Sequence, residues 1–255
     1  MDLELNGRTY VIGGGTDGLG LALAQRLMGE GANVAVCGRD EERLARTQEL
    51  LGPTAVCYQA DVTVASQIEG FIDTAVKNFG RIDGLVNNAG RVSSFKLEDA
   101  SDQDWAEDFE LKVMAAVRAS RYATKELEKV GGSIINVLAI SARTPSAGST
   151  PTAATRAAGL ALTKALSNEL GPRGIRVNAL LIGLIESGQW AHRASAAGIS
   201  EKDFYARAAQ GVPIPLGRYG KSEEFADVAT FLLSPRASYI TGVGLSVDGG
   251  LSPTI

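Results

Sequence analysis

A glycine-rich segment near the start of the chain has the composition of a phosphate-binding turn. Residues 14–20 read GGTDGLG, in which three glycines have the spacing G-x-x-x-G-x-G. Glycine permits a tight turn and a close approach to a pyrophosphate, and the N-terminus of a following helix favours an anion. Such turns also occur without a ligand, so the pattern depends on a strand before it and a helix after it. The residues predicted to bind a dinucleotide here are Gly14, Thr16, Asp17, Gly18, Leu19 and Gly20.

The required context is present, because strand and helix patterns alternate along the chain. The predicted strands are 8–13, 33–37, 54–58, 81–86, 133–138, 175–181 and 244–247. The predicted helices are 19–29, 40–51, 64–79, 101–123, 152–170 and 222–233. This alternation indicates repeated βαβ units, and therefore an α/β fold with a mostly parallel sheet and helices on both faces. No linker or repeat interrupts it, so we predict one doubly wound domain over 1–255, with 188–211 as a lid over the substrate.

The composition argues against several classes of protein. The chain has 255 residues, 45% of them hydrophobic, and a formal net charge of −4. It lacks the clustered basic face that nucleic-acid binding requires, and its apolar stretches are too short for a membrane span. The acidic start is unlike a signal peptide, and two cysteines need no disulfide framework. We therefore expect a cytoplasmic protein with neither a nucleic-acid nor a membrane partner.

Few other side chains have the type and spacing of a reactive site. Cys37 and Cys57 fit buried strand positions better than redox positions. His192 is the single histidine and falls in the predicted lid, where a solvated side chain is the commoner role than catalysis. No group of residues has metal-ligand spacing, so we predict no metal site.

Six segments in the same order give the chain a specific resemblance. They are GGGTDGLG (13–20), Asp61-Val62, NNAG (87–90), GPRGIRVNA (171–179), PLGRYGKSEEFADVATFLLS (215–234) and ITGVGLSVDGG (240–250). Over essentially its whole length the chain resembles the short-chain dehydrogenase/reductase family, which implies a Rossmann-type fold and a nicotinamide cofactor. The further cofactor-binding residues that the resemblance implies are Asp61 and Val62 near the adenine, Asn88, Ala89 and Gly90 near the riboses, and Arg156, Gly183 and Ile185 towards the nicotinamide.

The end of the second strand bears on the choice between NADP and NAD. Relatives that prefer NAD carry an acidic residue there to hold the ribose hydroxyls, whereas this chain has Gly38 followed by Arg39. An arginine can pair with a 2′-phosphate, and the missing carboxylate removes a repulsion. Asp17 opposes this interpretation, because a carboxylate near a 2′-phosphate is unfavourable. We predict NADP as the preferred cofactor, with NAD as the alternative.

The resemblance also implies a catalytic tetrad of Asn, Ser, Tyr and Lys, from which this sequence departs at every member. The Tyr phenol is the family's general acid/base, the Lys lowers its pKa, the Ser positions the substrate oxygen and the Asn supports a water relay. The residues at the Asn, Ser, Tyr and Lys positions are Lys112, Ala139, Thr152 and Arg156. An aliphatic hydroxyl is a poorer proton donor than a phenol, whose pKa is ~10, and alanine donates nothing. The candidate catalytic residues are therefore Lys112, Thr152 and Arg156.

Lys112 gives the sequence a possible replacement for the missing acid/base. If its side chain turns inward beside Arg156, its pKa falls and it becomes able to exchange a proton at neutral pH. The alternative is a side chain that points to solvent or packs its stem along a helix interface.

Three functions remain open from the sequence. The first is an NAD(P)-dependent oxidoreductase, which transfers hydride between a carbonyl and an alcohol of unknown identity at a non-standard active site. The second is a catalytically inactive dinucleotide-binding protein that acts as a sensor, scaffold or pseudoenzyme. The third is a lyase, isomerase or dehydratase, since fold does not fix function. By resemblance we also expect a homodimer or homotetramer that pairs through the helices at 101–123 and 152–170.

Overall fold

Seven strands form one parallel sheet in the computed structural model, which describes residues 1–186 and 200–254. Within these ranges the strands are β1 (Thr9–Gly13), β2 (Asn33–Gly38), β3 (Val56–Gln59), β4 (Gly84–Asn87), β5 (Ser94–Phe95), β6 (Ser133–Ala139), β7 (Thr150–Pro151), β8 (Arg176–Ile182) and β9 (Gly244–Val247). The sheet order is β3-β2-β1-β4-β6-β8-β9, and every neighbouring pair is parallel. The short strands β5 and β7 pair separately and antiparallel.

Helices cover both faces of this sheet. Within the described residues they are α1 (Gly18–Gly29), α2 (Glu41–Leu51), α3 (Ala65–Phe79), α4 (Asp102–Phe109), α5 (Ala115–Val130), α6 (Thr152–Leu170), α7 (Glu201–Gln210) and α8 (Ser222–Leu233). Helix α1 packs against α8 on one face, and α3 packs against α5 on the other. The strand side chains divide accordingly into two apolar clusters, with Ile12 and Val34 in one and Val11 and Ala35 in the other. Burial on both faces explains why the strands read as continuous apolar runs.

The predicted α/β class and doubly wound parallel sheet are confirmed. The largest difference concerns the predicted helix 101–123, which continues to Val130 and contains the π-helical turn Glu110–Met114 between α4 and α5. The sequence after Ala123 is mostly polar, but Leu127 is fully buried and keeps the helix on the sheet until Gly131 ends it in a left-handed conformation. Apolar periodicity misses such a segment because only one of its residues reaches the core.

The strand order creates a crevice at one end of the sheet. Strand β1 has β2 on one side and β4 on the other, and the chain leaves β1 towards β2 but leaves β4 in the opposite direction, towards β6. Open α/β sheets bind their ligands at this kind of topological switch point. No helix in the described ranges is both long enough and apolar enough to cross a membrane.

Candidate active site

The glycine turn between β1 and α1 is packed so closely that side chains cannot be added. A Cβ at Gly14, where φ is +74°, would lie 2.8 Å from the Cα of Ala89. A Cβ at Gly20 would lie 2.3 Å from the carbonyl oxygen of Gly14. Asn88 fixes the same turn, because its side-chain Nδ2 donates to that carbonyl oxygen at 2.7 Å. The turn and the segment after β4 therefore form one rigid wall with its backbone exposed to the crevice.

A cleft of about 1290 Å³ begins at this wall. It extends from the end of β2 past the glycine turn to the start of α6, and therefore connects the two ends of the predicted site. The sequence-predicted residues that line it are Gly14, Thr16, Asp17, Gly18, Leu19, Arg39, Asp61, Val62, Asn88, Ala89, Gly90, Ala139, Thr152, Arg156, Gly183 and Ile185. Gly20 lies behind the turn, and Lys112 lines a smaller cavity of about 40 Å³ beneath the cleft.

Two arginines border the end of the cleft next to β2. Arg39 lies 3.6 Å from a carboxylate oxygen of Asp61, and Arg43 lies 3.6 Å from one of Asp17. Both arginines are partly exposed, and these separations are long for ion pairs, so each guanidinium keeps donors for another anion. Burial alone would raise the pKa of Asp61, but hydrogen bonds from Thr63 and the charge of Arg39 outweigh it and hold that pKa below its usual value.

Asp17 does not point an unpaired charge at this end of the cleft. It is the N-cap of α1, and its Oδ1 accepts a hydrogen bond from the backbone N–H of Gly18 at 2.7 Å. Arg43 approaches its second oxygen. The helix N-terminus thus offsets part of the negative charge that opposes a 2′-phosphate.

At the other end of the cleft, the side chain of Lys112 turns inward from the π-helical turn. It is 2% exposed, and its Nζ donates to Asp108 Oδ1 and to Thr152 Oγ1, at 2.5 Å in each case. Asp108 is fully buried, and its Oδ2 accepts a hydrogen bond from Thr155 Oγ1 at 2.6 Å. The alternative that Lys112 points to solvent is therefore wrong. The Lys112 ammonium points at the hydroxyl of Thr152, and Thr152 lines the cleft.

The hydroxyl of Thr152 has an orientation that its neighbours determine. Its Oγ1 accepts from Lys112 Nζ and from the backbone N–H of Ser93 at 3.2 Å. An ammonium and an amide N–H only donate, so both occupy acceptor positions of the oxygen. The O–H of Thr152 therefore remains available to donate to a third group. Such a group can approach from the cleft, which Thr152 borders.

Arg156, one turn after Thr152 on α6, places a second cation in the wall of the cleft. Its Nη1 donates to the carbonyl oxygen of Val137 at 2.6 Å, and its Nε is buried with no hydrogen-bond partner among the described residues. Its Nη2 lies against Gly90, where an added Cβ would come within 3.2 Å of it. Burial lowers the pKa of Arg156 to about 10, which leaves the guanidinium charged at neutral pH.

The environment of Lys112 lowers its pKa to about 8. Burial is the largest cause, and the charge of Arg156 adds to it, while Asp108 opposes both. A group that titrates near 8 is partly neutral and partly charged close to physiological pH, which suits a general acid/base. The site therefore combines three groups. The Thr152 hydroxyl can donate its proton, the Lys112 ammonium can replace that proton, and the Arg156 guanidinium stays charged.

Sequence reasoning missed Asp108 and Arg43. The spacing of Asp108 and Lys112, four residues apart on one helix, was available as a signal, but such pairs usually lie on a solvated face. Arg43 follows the N-cap residue Asp40 by three positions, in a run of charges that reads as an exposed first helical turn. Cys37 is buried, as predicted, whereas Cys57 on β3 is only half-buried.

Part of the predicted lid lies outside the described residues. This applies to 188–199, which include His192, whereas most of the remaining lid residues form α7. In the ranges that the structure describes, no group of His, Cys, Asp and Glu side chains could hold a metal ion.

Comparisons with known proteins agree with this architecture. The family model described as enoyl-(acyl carrier protein) reductase matches residues 14–252. A 3-oxoacyl-[acyl-carrier-protein] reductase of Chlamydia pneumoniae is 34% identical, over 99% of this chain and 100% of the relative. The NADPH-bound structure of a short-chain oxidoreductase of Pseudomonas aeruginosa PAO1, described as containing an atypical catalytic center, is 35% identical with a TM-score of 0.92, covering 97% and 98% of the two chains. L-sorbose reductase of Gluconobacter frateurii, complexed with NADPH and L-sorbose, is 32% identical with a TM-score of 0.91 over 100% of both chains.

Proposed function

The chain belongs to the short-chain dehydrogenase/reductase family, and from that premise we propose that it is an NADP(H)-dependent oxidoreductase with a non-standard active site. It interconverts a carbonyl and an alcohol, with Thr152 and Lys112 in place of the family's tyrosine. The observation that carries this proposal is the Thr152 hydroxyl, which accepts from Lys112 and from Ser93 and so keeps its own proton for a substrate oxygen.

The cleft fits a nicotinamide dinucleotide phosphate. A Cβ at Gly14 or Gly20 would clash with neighbouring backbone, so the turn presents bare backbone to the cleft, as a pyrophosphate site requires, and the buried Nε of Arg156 has no partner among the described residues. The reduced cofactor supplies the hydride. The residues that would hold it are those of the glycine turn for the pyrophosphate, Asp61 and Val62 for the adenine, Asn88 to Gly90 for the riboses, and Arg156, Gly183 and Ile185 for the nicotinamide end.

Arg39 and Arg43 are suited to the 2′-phosphate that distinguishes NADP from NAD. Replacing either with alanine should weaken NADPH binding about tenfold, because each removes one charge-assisted contact. NADH binding should be nearly unchanged. Arg46→Ala is the matched control, since that side chain is exposed on α2 and does not line the cleft. Fluorescence titration with both cofactors gives the affinities, and an equal loss for NADPH and NADH would remove the assignment.

Proton transfer follows from the contacts of Thr152. In the reductive direction, the Thr152 hydroxyl gives its proton to the carbonyl oxygen as the carbonyl carbon receives the hydride that bound NADPH would supply. Thr152 takes a proton from the Lys112 ammonium in the same step, so the alcohol forms and the lysine is left as a neutral amine. A threonine alkoxide never has to accumulate, which its high pKa would forbid. The guanidinium of Arg156 adds a fixed positive charge close to the developing oxyanion.

This scheme predicts a pH dependence with opposite signs in the two directions. Lys112 is charged below its pKa of about 8 and neutral above it. Reduction needs the ammonium, so its rate constant should fall as the pH rises through about 8, and alcohol oxidation should rise over the same interval. Single-turnover rates at saturating cofactor from about pH 6 to about pH 10 measure this. A reduction rate that stays flat to the alkaline end would exclude Lys112 as the acid.

An inactive dinucleotide-binding protein is the alternative function, favoured by Ala139, which has no donor to orient a substrate oxygen. The two functions differ in one experiment. The protein is first titrated with NADPH to establish a stoichiometric complex, and that complex is then mixed with a panel of ketones, aldehydes and keto acids. Oxidation of NADPH above the rate of the free cofactor supports the oxidoreductase, whereas binding without turnover across the panel favours the inactive protein.

A further inference from the structure

Asp108 is the buried carboxylate on which the arrangement of Lys112 depends. It lies in the last turn of α4 and is fully buried. One oxygen accepts from Lys112 Nζ at 2.5 Å, and the other accepts from Thr155 Oγ1 at 2.6 Å. The carboxylate thus connects the π-helical turn to the start of α6. A buried charge is costly unless it is paired and hydrogen-bonded, and both oxygens of Asp108 satisfy this condition.

The charges around Lys112 are otherwise positive. The charged groups that face its ammonium are Asp108 from α4, Arg156 from α6 and Arg91 from the segment after β4. Asp108 is the one carboxylate within ion-pair distance of Nζ among the described residues. Without it, a buried ammonium would face two guanidinium groups with no counter-ion, and the neutral amine would be favoured.

We propose that Asp108 is a positioning residue that keeps Lys112 charged and directed at Thr152. This rests on the proposed function, because it assigns Asp108 a task through the proton donor of that reaction. Thr155 contributes to this positioning. Its hydroxyl donates to the second carboxylate oxygen of Asp108 and holds that carboxylate on the side of α6 that carries Thr152. Asp108 itself does not line the cleft, so it acts through Lys112.

The test measures the ionisation of Lys112 directly and does not depend on turnover. Protein labelled with ¹³C at the lysine ε-carbon is titrated by NMR, and the Lys112 signal is identified by its loss in Lys112→Met. In Asp108→Asn, the midpoint of that signal should move to lower pH by at least about one unit, since a neutral amide cannot stabilise the ammonium. Asp108→Glu keeps the charge and should retain most of the wild-type midpoint. Asp102→Asn is the matched control, an exposed carboxylate on the same helix, and should shift nothing.

The outcomes separate the positioning role from the reaction. An unchanged Lys112 midpoint in Asp108→Asn would overturn the role of Asp108, even in an active enzyme. A lowered midpoint in a protein that turns over no substrate would support Asp108 and reject the proposed function. In an active enzyme, the alkaline limb of the reduction rate should shift by the same amount as the NMR midpoint. If Asp108→Asn does not fold, Asp108→Ser, which is also neutral but smaller, is expected to give the same shift.

Discussion

A Lys112→Met variant is expected to lose about 10²- to 10⁴-fold in the rate of carbonyl reduction, which is the usual cost of removing a general acid/base. Methionine preserves the apolar stem but removes the donor that Thr152 Oγ1 accepts from at 2.5 Å. Thr152 must then supply a proton that nothing replaces. Affinity for NADPH should stay within about threefold of wild type, well under the 1.4 kcal/mol that a tenfold change represents, because Lys112 does not line the cleft.

The stability of this variant has to be controlled, because the substitution leaves Asp108 buried and unpaired. Breaking a buried ion pair on one side typically costs about 3–5 kcal/mol. The double variant Asp108→Asn/Lys112→Met removes both charges and should regain most of that stability. It should fold, bind NADPH and remain as inactive as Lys112→Met. If the double variant recovers turnover together with stability, the loss in the single variant was structural and Lys112 is not the acid.

The cofactor half of the site could be predicted from the sequence because its determinants are local. Only glycine fits at positions 14 and 20, because a Cβ at Gly14 would clash with Ala89 and one at Gly20 would clash with Gly14. Such backbone requirements leave a direct trace in residue type and spacing. The parallel sheet with helices on both faces followed equally well from the alternation of apolar runs and helices.

The catalytic half could not be predicted to the same depth, because its determinants are pairings between distant elements. Lys112 was identified, but its direction depends on a π-helical turn that has no signature in the sequence. Asp108 reads as one more acidic residue of a polar helix until the fold brings Thr155 to it across 47 positions. The surroundings of Asp17 could not be predicted for the same reason, because Arg43 approaches it from another helix.

In the proposed reaction, these contacts let a short aliphatic hydroxyl take the part for which the family uses a phenol. A phenol, with a pKa of ~10 that a neighbouring lysine lowers further, can give up its proton directly, whereas threonine needs a partner that replaces the proton as it leaves. Lys112 has the geometry of that partner, and its pKa, lowered to about 8, is close enough to neutral pH for it to exchange a proton there. The two residues therefore function as a unit, and neither should support the reaction without the other.

Thr152→Val removes the hydroxyl of the Lys112–Thr152 pair and is expected to lower the rate of carbonyl reduction about 10²-fold or more. Valine matches threonine in shape, so the loss is confined to the hydroxyl, and Thr152→Ser, which keeps it, should stay within about tenfold of wild type. Thr150→Val is the matched control, because that hydroxyl bonds to the carbonyl oxygen of Phe95 and does not line the cleft. Single-turnover reduction at saturating NADPH provides the rates, with thermal unfolding to confirm that all variants fold.

The combination of Lys112→Met with Thr152→Val gives the decisive comparison. Residues that act in one proton transfer show non-additive losses, so the double variant should be about as slow as the slower single variant. If the two losses multiply instead, Lys112 and Thr152 act independently, and the lysine contributes only as a charge near the oxyanion. A serine variant as inactive as the valine variant would mean that the threonine methyl group, and not its hydroxyl, is what the site requires.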